Sequence, residues 1–143
     1  FFDAGHFCIL NEPVSQADLF ARICHQIQQE GYVDADFHPS LVERESIVST
    51  MLGEGIALPH SLGLLAKKTV IYTVLAPQGV RWGENETAHV IFLLAISKKD
   101  YEEAMAIYDL FVTFMRERAV GRLLASTDFE QFRDIAMDCL SRS

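Results

Sequence analysis

The residues best suited to chemistry in this chain lie in one short run, Gly53-Glu54-Gly55-Ile56-Ala57-Leu58-Pro59-His60. A neutral imidazole is a nucleophile near neutral pH. A ring nitrogen that has taken up a phosphoryl group holds it as a reactive phosphoramidate that passes readily to another acceptor. His60 follows a proline whose ring fixes its own φ and biases Leu58 toward an extended backbone, so the imidazole is presented from a stiff mount. Gly53 and Gly55 permit a tight turn into Ile56, and their missing side chains are expected to leave room for a ligand or partner beside His60.

Phosphoryl transfer also needs donors or positive charge around the phosphoryl oxygens, aimed where charge develops in the transition state. Arg44, on a helix preceding the glycines, offers a planar fork that is always charged, and Ser49 and Thr50 at the end of that helix offer hydroxyls. His89, at the start of an apolar run, is a candidate accessory residue beside His60, with a strand-edge or core position as the simpler reading. His6, His25 and His38 show no partner pattern and read as surface or capping residues. Cys8, Cys24 and Cys139 form no pair at metal-ligand spacing; they read as reduced cytosolic thiols that fill core, and no metal site is indicated.

Several elements must position these residues. Ser15 precedes a run over 16–30 with Leu19, Ile23 and Ile27 at helical spacing and Gly31 behind it, which predicts an amphipathic helix. A second helix is expected from Pro39 toward Met51. Runs at 56–58, 69–75 and 88–96 read as strands, the last two central, and 76–87 reads as a loop anchored by Val80 and Trp82. A long helix over 101–116, a short one over 118–125, and a last one over 128–140 capped by Ser126 or Thr127 complete the pattern. Helices thus bracket a sheet-rich middle, and the economical architecture is one three-layer α/β domain, a mixed β-sheet flanked by helices.

With 143 residues and half of them hydrophobic, the chain suffices for one domain over 1–143, and its start at Phe1 suggests a domain excised from a longer chain. No apolar run reaches the roughly 20 residues that span a bilayer, so no membrane insertion is expected. A formal charge of -8 with scattered Lys and Arg argues against direct nucleic-acid contact, and a cytoplasmic location is expected.

The run Arg44-Glu45-Ser46, then Ser49-Thr50, Gly53 and Gly55-Ile56-Ala57-Leu58-Pro59-His60 resembles the type 2 enzyme IIA domains of the bacterial phosphoenolpyruvate-dependent sugar phosphotransferase system, the fructose and mannitol class. Weaker resemblance extends through Glu30-Gly31-Tyr32-Val33, Gly79-Val80-Arg81-Trp82 and Phe92-Leu93-Leu94-Ala95. The resemblance implies the enzyme IIA type 2 fold, with His60 as acceptor of a phosphoryl group from the phosphohistidine of the carrier protein HPr. It implies delivery onward to an enzyme IIB domain, Arg44 as the active-site arginine, and no cofactor or metal. The family commonly carries a second active-site histidine on the helix after the last central strand, where alignment here puts Glu103. A carboxylate repels a phosphoryl dianion, so either that helix is rotated, Tyr101 supplies a hydroxyl, or transfer is slower.

The expected role is a phosphoryl acceptor and relay within a regulatory domain of a sugar-operon transcriptional regulator of antiterminator type, its partners being HPr and the regulatory domains of the same chain. The alternative is a transport enzyme IIA component that passes phosphate to enzyme IIB. A phosphate-ester hydrolase using His60 lacks a visible general acid or metal cluster.

Overall fold

Two long strands, β4 (Val70–Trp82) and β5 (Glu86–Ala95), pair antiparallel at the centre of a five-stranded sheet in a computed structural model that describes residues 1–142. Outside β4 lies β1 (Phe7–Ile9), parallel to it. Outside β5 lies β3 (Ile56–Ala57), also parallel, and β2 (Met51–Gly53) closes that edge antiparallel to β3. The order β1-β4-β5-β3-β2 makes a mixed sheet.

Alternation along the central strands sends side chains into two cores. Val70, Tyr72 and Val74 of β4 with Ile91 and Leu93 of β5 meet α1 (Gln16–Gln29) and α2 (Phe37–Ile47), whose Leu19, Phe20, Ile27, Phe37 and Leu41 are buried. On the opposite face, Ile71, Leu75, Val90 and Phe92 meet α3 (Tyr101–Arg116), α4 (Val120–Leu124) and α5 (Phe129–Arg142) through Phe111, Phe114, Leu123 and Phe132. Both faces of the sheet are therefore covered, which explains why β4 and β5 read as near-continuous apolar runs. The result is the expected three-layer α/β arrangement. Among the described residues no helix is long and apolar enough to cross a membrane.

The segment 76–87 is not a loop. β4 continues through Pro77 and Gly79 to Trp82, with its register shifted between Leu75 and Val80, and only 83–85 turn the hairpin. A bulge absorbs the residues that read as loop punctuation: Pro77 and Gln78 are exposed, and Gly79 takes φ 83° with a β-carbon position that would collide with Thr87. Val80 and Trp82 are buried anchors as expected, Trp82 in edge-to-face contact with Phe20.

The second helix starts at Phe37, two residues before Pro39, and stops at Ile47, so Met51 opens a strand instead of ending a helix. At α5 the cap is Asp128, whose Oδ1 accepts from the Gln131 N–H, while Ser126 is buried. His6 is no surface residue: it lies buried with Nδ1 2.9 Å from Asp3 Oδ2 and Nε2 2.8 Å from Glu30 Oε1.

Burial pushes the Cys24 thiol up to about 12 from 9.0, and burial with nearby Cys8 and Glu30 pushes Tyr72 up to about 12 from 10.0. The unfolded chain releases these protons first, so their contribution is complete below about pH 9 and falls as pH rises toward about 12. Urea unfolding between pH 8 and 11 is expected to show falling stability above pH 9, and Cys24→Ala should flatten that fall.

Candidate functional site

The backbone that carries His60 is held on both edges. On one side the Leu58 N–H donates to the Thr50 carbonyl (3.0 Å); on the other the Leu94 N–H of β5 donates to the Pro59 carbonyl (2.9 Å). His60 bridges Leu94 in parallel register, which extends the β3–β5 pairing past the end of β3. Pro59 has no N–H to give, so its carbonyl alone makes the contact to β5 here.

His60 is half-buried, and its Nδ1 lies 2.7 Å from the Leu58 carbonyl oxygen. A carbonyl only accepts, so this contact assigns the proton of the neutral ring to Nδ1 and leaves the lone pair on Nε2. The ring opens onto a cleft of about 470 Å³. Arg44 of α2, Ser49, Thr50 and His60 all line it, together with an apolar wall that includes Leu58, Leu64, Leu94 and Ile96.

Arg44 Nη1 donates to the Val48 carbonyl just past the end of α2 (2.7 Å), which leaves four N–H groups of the guanidinium for a ligand. The two hydroxyls differ. Thr50 is buried, and its Oγ1 donates to Glu45 Oε1 (2.5 Å), so its single proton is committed. Ser49 Oγ accepts from the Met51 N–H (3.1 Å) and keeps its own proton to donate.

His89 does not join His60. Its Nδ1 donates to the Ala76 carbonyl (3.0 Å), and it lies five residues before Leu94 on β5, roughly 17 Å along the strand. Nor does Glu103 reach the cleft: it is exposed on the first turn of α3, as is Tyr101, and α3 lines the cleft with Met105 and Tyr108 instead. The glycines also have another task. Gly53 and Gly55 sit at φ 137° and 83° in the β2–β3 turn, and β-carbons there would meet Met115 and His89, so they serve the turn and do not open space beside His60.

Two positions escaped the sequence reading. Glu45 accepts from the Thr50 N–H (2.8 Å) and from Trp82 Nε1 (3.0 Å) through Oε2, besides Thr50 Oγ1 through Oε1. Ser40 Oγ accepts from the Leu62 N–H (2.9 Å) and donates to the Leu62 carbonyl (3.3 Å), which ties α2 to the loop after His60. The Arg44-Glu45 pair was visible in the sequence, but Trp82 is too distant along the chain to be read as its partner. Among the described residues no group of three His, Cys, Asp or Glu side chains is placed to hold a metal ion.

This layering, with a histidine beyond a short parallel strand and an arginine across a shallow cleft, is an enzyme IIA architecture. The complex of enzyme IIAMtl and phosphorylated enzyme IIBMtl from Escherichia coli has a chain that superposes with a TM-score of 0.80 at 22% identity, covering 96% of this chain and 98% of that one. The family model described as "Phosphoenolpyruvate-dependent sugar phosphotransferase system, EIIA 2" matches residues 1–138, and the chain belongs to that family. It is similar to the PTS system mannitol-specific EIICBA component of Buchnera aphidicola, 33% identical over 129 residues that cover 86% of this chain and 20% of that protein. It is also similar to the transcriptional regulator ManR of Bacillus subtilis, 32% identical over 82 residues that cover 57% of this chain and 12% of the regulator. The chain spans about a fifth or less of the length of these two relatives.

Removing the Ser40 hydroxyl should free the loop after His60. Ser40→Ala is expected to cost about 1 kcal/mol of stability and to speed hydrogen exchange at the Leu62 amide more than at the Leu94 amide, measured by NMR.

Proposed function

We propose that Nε2 of His60 accepts a phosphoryl group from the phosphohistidine of HPr, and that the domain serves as the phosphorylation-sensing module of a longer cytoplasmic regulator of sugar genes. The observation that carries the acceptor role is the His60 Nδ1 contact with the Leu58 carbonyl inside a cleft that also contains Arg44. The Nε2 lone pair forms the new N–P bond as the N–P bond to HPr breaks, and its electron pair stays on the departing imidazole. The His60 ring gains positive charge in that step, and the Leu58 carbonyl, facing Nδ1–H, stabilises it without moving a proton. Arg44 and the Ser49 hydroxyl donate to the phosphoryl oxygens as charge spreads over them.

The sensing role is supported by the similarity to ManR and by the cleft wall on α3, where Met105 and Tyr108 stand and His60 is the one imidazole among the described lining residues. The second reading, a transport enzyme IIA that hands phosphate to enzyme IIB, is favoured by the similarity to the mannitol-specific EIICBA component.

Incubation with labelled phosphoenolpyruvate, enzyme I and HPr should place acid-labile label on the wild-type domain and none on His60→Ala. Arg44→Ala should slow labelling on the order of 100-fold while the unfolding midpoint moves little. Label that persists in His60→Ala sinks the acceptor role. Rapid discharge of label onto an enzyme IIB domain would favour the transport reading over the sensing one.

A further inference from the structure

A continuous series of hydrogen bonds runs from the sheet core to the ring of His60. Trp82, 1% exposed, donates its indole N–H to Glu45 Oε2 (3.0 Å). The same carboxylate takes the Thr50 N–H (2.8 Å) and the Thr50 hydroxyl, fixing both the backbone and the side chain of that residue. The Thr50 carbonyl then receives the Leu58 N–H (3.0 Å), and the Leu58 carbonyl receives His60 Nδ1–H (2.7 Å). Each link fixes the orientation of the group that makes the next one.

We propose that Glu45 is a positioning residue for His60, setting the tautomer and orientation of its ring through Thr50 and Leu58. Three donors converge on one carboxylate, and this is more than α2 needs to dock, because Leu41 and Phe37 already bury that helix. What the convergence adds is a fixed direction for the Thr50 backbone, which decides where the Leu58 peptide, and so the acceptor for Nδ1–H, stands. If Leu58 turns, the Nδ1–H bond lengthens and the proton redistributes between the ring nitrogens. The nucleophilic lone pair is then present at Nε2 for only part of the time. Glu45 and Arg44 are neighbours on α2, so one turn of helix supplies both the charge for the phosphoryl group and the anchor for the nucleophile's mount.

The rate arm of the test rests on His60 being the phosphoryl acceptor; the spectroscopic arm does not. In ¹⁵N-histidine-labelled protein, the wild-type His60 ring should show a protonated Nδ1 and an unprotonated Nε2 at neutral pH. Glu45→Ala should move both nitrogens toward the averaged shifts of mixed tautomers and slow phosphorylation by HPr on the order of tenfold or more. Glu45→Gln, whose amide oxygen can still accept from Trp82 and Thr50, should restore the wild-type ring spectrum and most of the rate. A folded Glu45→Ala with unchanged ring shifts overturns the proposal. Should that variant fail to fold, Thr50→Val removes one bond to the carboxylate at similar shape: a shift in the same direction supports the proposal, and an unchanged spectrum overturns it. A wild-type domain that shows the expected ring spectrum but takes no phosphate from HPr would overturn the acceptor reading alone.

Discussion

The stretch Leu58-Pro59-His60 is held between two strands, its Leu58 N–H given to Thr50 and its Pro59 carbonyl taken by Leu94. The acceptor role proposed for His60 needs a ring held within a fraction of an ångström of a productive geometry, and a free loop would not hold it there. A strand-like segment past the end of β3 does so with backbone bonds alone. Proline has no N–H to give β5 at this point, and its fixed φ narrows the remaining freedom of the chain. The cleft, the arginine and the hydroxyls gain their meaning from that fixed reference.

The helix that faces this mount divides its work between adjacent side chains. Successive residues on a helix point about 100° apart, so Arg44 lines the cleft while Glu45 turns toward Trp82 and Thr50. A carboxylate with three donors is costly to disturb, because removing it strands a buried indole N–H and a buried threonine hydroxyl. Such a group keeps α2 from sliding along the sheet. Sliding would move Arg44 along the cleft that it and His60 both line, so the same bonds that fix the mount also hold Arg44 in place there.

Much of this was legible in the sequence because it is local. The helical spacing of Leu19, Ile23 and Ile27, the rigid Pro59-His60 pair and the arginine on the preceding helix are all written within a few turns of chain. What escaped was non-local or ambiguous by nature. Pro77 and Gly79 carry loop chemistry, yet a bulge accommodates both within a strand that its partner β5 keeps in register. β1 has three residues, too few for a periodic signal, and exists because β4 offers an edge. His89 was a candidate neighbour of His60, but strand geometry separates them by the length of five residues. Glu103 stands outside the cleft, and Met105 and Tyr108 line it instead, with Phe111 and Phe114 of α3 packed on Phe92, a packing that no short motif records.

The parallel pairings also govern the order in which the molecule is made. The β4–β5 hairpin closes through a turn at 83–85 and needs only its neighbours in sequence, whereas β1 must find β4 with residue 7 beside residue 73, and β3 must find β5 with residue 56 beside residue 90. Contacts between distant parts of a chain form late, since the entropy of closing the loop comes before the reward. His60 is therefore synthesised well before its site exists. Until β5 has left the ribosome and paired with β3, the nascent chain presents a histidine with no mount to direct its ring, and that ring gains a fixed direction only when the sheet is complete.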